Sequence, residues 1–401
     1  MTWPTKKLGE ICEIIAGQAP PSKYYNEERK GIPFLTVNSF GRVFPKVERW
    51  TTKCLRESKE GDVLFSVAGS LGLVNLGINA CITRSIFALR PLKGASLQKF
   101  LFYALKKYGS QIALMGSGTA QKVITIKQIS NFEIPLPPLP IQQKIVKVLD
   151  TIQDAVEIQE KIIEKTKELK KSLMADLFKY GAPSFRKGRK LKKTEIGEIP
   201  ENWEVVRLGD ERLFEIKLGG TPKTGEPKYW NGKIYWITPN DLSKLASPFI
   251  KTTEKTITEE GLRVGSNILP AGSIILSTRA PIGYVGIVKT DMAFNQGCKG
   301  IVIKNKNILN LFVYYYLNKK SLNLHELGTG STFRELSTED LKKFKIPLPP
   351  LPEQQEIAEI LQTIDQKIEI EKRKKELYEE LFKTMLNKIM NQEIDISLLD
   401  Y

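Results

Sequence analysis

The seven residues Ile134-Pro-Leu-Pro-Pro-Leu-Pro140 recur unchanged as Ile346-Pro-Leu-Pro-Pro-Leu-Pro352, an offset of 212. Chance does not give a repeat of that length. At the same offset Gly116-Ser-Gly-Thr119 faces Gly328-Thr-Gly-Ser331, Phe132 faces Phe344, and Gln142-Gln143 faces Gln354-Gln355. Upstream the offset falls by about ten residues: Leu8-Gly9 matches Leu208-Gly209, Gly17-Gln-Ala-Pro20 matches Gly219-Gly-Thr-Pro222, and Asn38 matches Asn240. Gly61 with Gly72 matches Gly272 with Gly283. The chain is therefore a tandem duplication of a unit of about 200 residues, with insertions inside a common frame. Two copies predict two heads rather than a solenoid.

Each copy has the same internal order. Short β-rich runs (Ile32 to Val37, Asp62 to Val67, Ile234 to Ile237, Ser273 to Ser277) are punctuated by Gly, Pro and Asn, as in a strand-and-loop domain. A helical patch follows, Leu97 to Lys107 and Leu309 to Lys319, whose aromatics read as core rather than as a base-stacking surface. Proline then breaks the pattern, denying a backbone N–H and disfavouring helix in the preceding residue.

Beyond each Pro-rich heptapeptide runs a stretch of about 40 residues without Pro or Gly, a helix of roughly 60 Å at 1.5 Å per residue. In the first, Ile145, Val148, Ile152, Ala155, Ile162, Leu169, Leu173 and Leu177 trace a coiled-coil seam, weakened by Gln159 and Thr166. In the second, Ile357, Ile360, Ile364, Ile368, Tyr378, Leu381, Met385 and Ile389 do the same, with Glu371 and Lys374 on the seam. An apolar stripe on each helix predicts that the two pack on one another, antiparallel because of the connectivity. The expected fold class is α+β: two pseudo-twofold-related α/β domains with β-rich cores, joined by two long antiparallel coiled-coil helices. The expected boundaries are head one 1–140, helix one 141–182, a basic linker 183–193, head two 194–352, helix two 353–392 and an acidic tail 393–401.

Charge follows this frame. The net charge is +16. Head one carries +10, the linker +6 and head two +4, while the helices stand at +1 and −2 and the tail at −3. An excess confined to heads and linker points to a polyanion held at two places; solvated lysines are the plainer reading. No run of about 18 apolar residues and no apolar leader occurs, so a cytoplasmic protein away from membranes is expected. Cys12, Cys54, Cys81 and Cys298 stand singly, which reads as buried or idle thiols rather than zinc or redox pairs. With His325 the lone histidine, His-based triads and multi-histidine metal sites drop out. No Gly-x-x-x-x-Gly-Lys-Ser/Thr or Gly-x-Gly-x-x-Gly loop is present. The chain is expected to bind and not to react.

Taken together, these residues resemble the specificity subunits of type I restriction-modification enzymes. Similar proteins carry two variable target recognition domains, each closed by a Pro-rich turn of this type, then Gln-Gln and a long helix. Thr194-Glu-Ile-Gly-Glu-Ile-Pro-Glu-Asn-Trp203 resembles the family's passage into its second domain. Leu276-Ser-Thr-Arg-Ala-Pro-Ile-Gly283 and Phe294-Asn-Gln-Gly-Cys-Lys-Gly300 resemble segments inside such domains. Head one departs from them, with Phe65-Ser-Val-Ala-Gly-Ser-Leu-Gly72 and Cys81-Ile-Thr-Arg84 in those places. The resemblance implies a non-catalytic subunit that reads a bipartite, asymmetric target in double-stranded DNA and scaffolds its partners. Two modification subunits binding S-adenosylmethionine would dock on the helices and heads, with motor subunits using ATP and magnesium completing the restriction complex. The other class of function compatible with the chain is a two-headed coiled-coil scaffold that binds proteins.

A DNA-reading head needs cations for phosphates and forked or planar donors for base edges. In head two the candidates are Asn240, Arg279, Asn295, Gln296, Lys299, Thr332 and Arg334. By matching position, head one offers Asn38, Ser66, Arg84, Thr119, Gln121 and Lys122. For each, the plain alternative is a loop residue that caps a turn or faces water. The Gly-rich pieces at 116–118 and 328–330 would let backbone approach phosphate, or are simply turns.

Overall fold

A computed structural model of the chain describes residues 3–118, 122–245, 247–279, 281–327 and 334–398. The chain divides into two compact units, residues 1–159 with 374–401, and residues 160–373. Each unit holds one head and one stretch of both long helices.

In the first unit the head has two main sheets. One orders the strands Cys12–Ala16, Ile86–Pro91, Val63–Ser66 and Val74–Leu76, antiparallel throughout. The other orders Tyr25–Asn26, Trp50–Thr51, Ile32–Leu35, Ala80–Ile82 and Glu57–Ser58, and pairs Ile32–Leu35 with Ala80–Ile82 in parallel. The helix Gln98–Leu114 covers the first sheet, and its Phe100, Phe102 and Tyr103 are buried in the core as the sequence predicted. The second unit repeats this order. Phe214–Leu218, Cys298–Ile303, Ile274–Ser277 and Val285–Val288 lie side by side, with Phe249–Ile250 added at the edge. Trp230–Ile237 and Met292–Phe294 form the parallel pair of its second sheet, and the helix Asn310–Lys319 buries Phe312, Tyr314, Tyr315 and Tyr316.

The repeated heptapeptide closes each head. Ile134 and Pro135 pair with the strand Thr5–Lys7, and Ile346 and Pro347 with Glu204–Arg207. Both are two-stranded ribbons, where a proline lacking its N–H is tolerated at the edge. The long helices then begin at Leu139 and Leu351, with Pro140 and Pro352 in the first turn, where the missing N–H costs nothing. The first ends at Tyr180, followed by Gly181 at φ +83°, the left-handed residue that stops a helix.

The glutamines after the heptapeptide explain its conservation between the copies. Gln142 is buried and accepts from the Leu97 N–H (2.9 Å) while its amide donates to the Pro137 carbonyl (2.9 Å). Gln354 does the same with the Leu309 N–H (2.8 Å) and the Pro349 carbonyl (2.8 Å). Leu97 and Leu309 cap the head helices with no capping side chain of their own, so each glutamine satisfies an orphan N–H at a helix start.

Within each unit the two helix segments run antiparallel. In the second unit Lys170 pairs with Asp365 at 2.6 Å, and further along the Ala182 N–H reaches Glu353 at 3.1 Å. In the first, Lys144 bonds the Ser397 carbonyl at 2.8 Å while Ile145 and Leu149 pack with Leu386, Ile389 and Met390. The seam, however, is turned by one residue at alternate positions. Leu149, Val156, Ile163 and Lys170 face inward in place of Val148, Ala155, Ile162 and Leu169, and Leu169 is 52% exposed. Helix two shifts likewise, burying Leu361 and Leu386 while Leu381 is 43% exposed. The sequence did not separate these phases because Val148-Leu149, Ala155-Val156 and Ile162-Ile163 are adjacent apolar pairs. At Leu169-Lys170 a cation takes the inward place: the Lys170 ammonium sits between Asp365 and the Tyr315 ring, 5.5 Å from its centroid.

Burial pushes the Cys12 and Cys298 thiols up to about 12, keeping both uncharged at neutral pH. His325 is exposed on the helix Ser321–Leu327. Among the described residues no helix is long and apolar enough to cross a membrane, and no group of His, Cys, Asp and Glu has the makings of a metal site.

Candidate nucleic-acid interface

In each head four segments converge where the parallel strand pair ends. The first is a turn leaving one of those strands. Thr36 caps the turn Val37–Ser39 and Thr238 caps the helix Pro239–Ser243, each in a reciprocal capping box with Ser39 or Asp241. This puts Asn38 and Asn240 on the surface at the same place. The second segment leaves the partner strand: Thr83-Arg84 in head one, Asn295-Gln296-Gly297 in head two, with Arg84 and Gln296 exposed.

The third segment is a hairpin loop that the two heads build identically. Ser66 Oγ donates to the Ser70 carbonyl (2.6 Å) and accepts from the Leu73 N–H (2.7 Å); Ser277 Oγ donates to the Pro281 carbonyl (2.8 Å) and accepts from the Tyr284 N–H (2.9 Å). Gly72 at φ +83° and Gly283 at φ +109° complete the turn. A Cβ on Gly72 would also lie 2.6 Å from the Gly109 carbonyl oxygen. Ser66→Ala and Ser277→Ala should each cost about 0.5–1.5 kcal/mol, because each removes a hydroxyl that makes two part-buried hydrogen bonds. Chemical denaturation checks this, and a cost below 0.5 kcal/mol, roughly that of a neutral surface change, would deny the loop its lock.

The fourth segment crosses the third. Val123 bridges Ala68 in head one and Glu335 bridges Arg279 in head two, while the Ile124 and Leu336 N–H groups reach the Val67 and Thr278 carbonyls at 2.9 and 3.1 Å. Lys122 and Arg334 lie next to these bridges, both exposed. In head two the segments touch at Gly297, where a Cβ would meet Asn295 Oδ1 at 3.0 Å, Pro239 Cγ at 3.5 Å and Arg279 Cβ at 3.8 Å.

The sequence candidates thus divide. Asn38, Arg84 and Lys122 in head one, and Asn240, Gln296, Arg279 and Arg334 in head two, present polar groups on these faces. The Asn240 amide leans on Glu254 at 3.2 Å. Three candidates face inward, which corrects the expectation for them. Ser66 is fully buried in the hairpin lock. Lys299 is 4% exposed, and its ammonium donates to the Leu336 carbonyl (2.6 Å) and Thr278 Oγ1 (3.4 Å). Burial pushes its pKa below the usual lysine value, offset in part by Glu335. Asn295 is half-buried, its amide donating to Thr221 Oγ1 (2.9 Å) and its carbonyl accepting from the Gly297 N–H (2.7 Å). Thr119, Gln121 and Thr332 lie outside the described residues, as does the Gly-rich piece 328–330. Sequence reasoning missed Glu335, whose carboxylate holds Arg279 at 2.7 Å.

Residues 1–168 and 200–380 match the family described as the type I restriction modification DNA specificity domain. A putative type I restriction enzyme specificity subunit, MjaX, of Methanocaldococcus jannaschii is 29% identical over 98% of this chain and 94% of its own length. The MjaIX specificity subunit of the same organism is 40% identical over 50% of this chain and 47% of its own. Among solved structures, the type I S subunit from M. genitalium superposes with a TM-score of 0.58 at 19% identity, covering 97% of this chain and 96% of that one. A chain from a structure of type I complex assembly reaches 0.62 at 18% identity, covering 97% of both.

Proposed function

The chain belongs to the type I restriction modification DNA specificity family, and we propose that its two heads read the two halves of an asymmetric, bipartite target in double-stranded DNA. The observation that carries this reading is one surface built twice: four converging segments with equivalent backbone bonds, a shared exposed asparagine and otherwise different exposed side chains. A shared scaffold gives both heads one way of approaching a duplex, and divergent tips give them different preferences. The positive charge concentrated on heads and linker supplies the sequence-independent part of the attraction.

The chain itself supplies recognition and scaffolding, and the chemistry belongs to its partners. Two modification subunits would carry S-adenosylmethionine and methylate adenine; motor subunits would carry ATP and magnesium and cleave. Coexpression with the modification subunit followed by mapping of methylated bases is the test. The expected motif is two short specified blocks separated by bases that are not read. A single continuous block, or methylation without sequence preference, would overturn the reading.

A further inference from the structure

Matched by their equivalent backbone bonds, the two faces differ at three positions that lie together. Head one has Ala68, Phe87 and Val123; head two has Arg279, Lys299 and Glu335. Phe87 follows Ile86, which pairs with Ser66, just as Lys299 follows Cys298, which pairs with Ser277. Head one therefore builds the same crossing with three apolar residues, and nothing in the scaffold calls for charge. Head two nevertheless buries an ammonium at this point, which is unfavourable unless it is tied down. It is tied down: Lys299 Nζ bonds the Leu336 carbonyl at 2.6 Å and lies 4.0 Å from Glu335, whose other oxygen holds Arg279 at 2.7 Å. Arg279 remains 48% exposed.

We propose that Arg279 reads a guanine in the half-site of head two, with Glu335 fixing the guanidinium and Lys299 fixing the segment that carries Glu335. This rests on the DNA-reading function above and adds the base and the residues. A guanidinium has five donors in a rigid fork. Glu335 occupies part of that fork and leaves the rest for a second pair of acceptors. A carboxylate at 2.7 Å offsets most of the arginine's long-range attraction, which suits a neutral base edge better than a phosphate. The O6 and N7 atoms of guanine are the acceptor pair in the major groove that matches an arginine fork. Lys299 and Glu335 are positioning residues. Head one, with Ala68 at the equivalent position, lacks this contact.

The test uses the chain assembled with its modification subunits, on duplexes randomised in the head-two half-site. Arg279→Lys keeps the charge and loses the fork. Preference for one guanine should fall about 10- to 100-fold, with the head-one half-site unchanged as internal control. Glu335→Gln and Lys299→Met should weaken preference at that same guanine by a smaller factor. Replacing that guanine by 7-deazaguanine, which lacks N7, should reproduce the Arg279→Lys defect in the wild-type complex and do nothing further in the variant. Melting temperature identifies any variant that fails to fold, and Glu335→Gln, at the surface, then carries the test together with the 7-deaza substitution. The proposal is overturned if head two specifies no guanine, or if preferences survive both Glu335→Gln and 7-deazaguanine. It is equally overturned if Arg279→Ala lowers the salt slope of binding by about one while leaving base preference intact, the mark of a phosphate contact. Loss of the bipartite pattern in the wild-type complex would instead defeat the underlying function.

Discussion

Replacing Glu353 by alanine will lower the stability of the second unit by about 3–5 kcal/mol, the cost of orphaning one member of a buried ion pair. Its carboxylate is fully buried and accepts from both terminal nitrogens of Arg189, from Trp203 Nε1 at 2.9 Å and from the Ala182 N–H at 3.1 Å. These partners come from the end of helix one, the basic linker and the start of head two, so one side chain gathers the whole passage into that head. Arg189 is 10% exposed and has little access to water once the carboxylate is gone. Glu353→Gln keeps the shape but removes the charge, and should fall between wild type and alanine. Pairing Glu353→Leu with Arg189→Met should recover much of the loss, because two apolar residues replace a buried pair without leaving either charge alone. Urea unfolding measures the three variants against wild type. A loss below 1 kcal/mol in Glu353→Ala would mean that Arg189 finds another partner and that the passage is held by its apolar contacts.

The equivalent place in the first copy is Ile141, at the 212-residue offset, and this contrast shows what the sequence carried. Identity between copies marked scaffold: the heptapeptide, Gln142 with Gln354, Gly72 with Gly283, and Leu8 with Leu208, whose N–H groups bond the Phe132 and Phe344 carbonyls at 2.9 Å each. Those positions keep one residue type because one backbone arrangement demands it. Among the candidate site residues Asn38 and Ser66 recur as Asn240 and Ser277 while the others differ between copies, and only some of those differences were legible. Lys299 read as a cation for DNA because a lysine in a loop-bounded segment usually faces water; its place on the sheet beside Leu276 turns it inward. Glu335 was passed over because acidic residues repel phosphates, and its use lies in holding Arg279. The trio of Arg279, Lys299 and Glu335 against Ala68, Phe87 and Val123 is in the aligned sequence, but only strand register brings its members together. The phase of the helical seam was hidden for another reason. Adjacent apolar pairs leave two stripes of nearly equal hydrophobicity, which the sequence pattern alone does not separate.

Removing Gln142 and Gln354 separately should disable the two heads one at a time. Each alanine variant strands a part-buried N–H at the start of a head helix and a buried proline carbonyl, for a cost of roughly 2–4 kcal/mol in that head. The partners of Gln142, at Leu97 and Pro137, lie within the first compact unit, and those of Gln354, at Leu309 and Pro349, within the second. Hydrogen exchange should therefore lose protection in Gln98–Leu114 for Gln142→Ala and in Asn310–Lys319 for Gln354→Ala, with the other head near wild type. In the assembled complex Gln142→Ala should degrade discrimination within the head-one half-site and Gln354→Ala within the other. If either variant loosened both head helices to the same extent, the glutamine would belong to a fold that melts as one body, and independent heads would have to be abandoned.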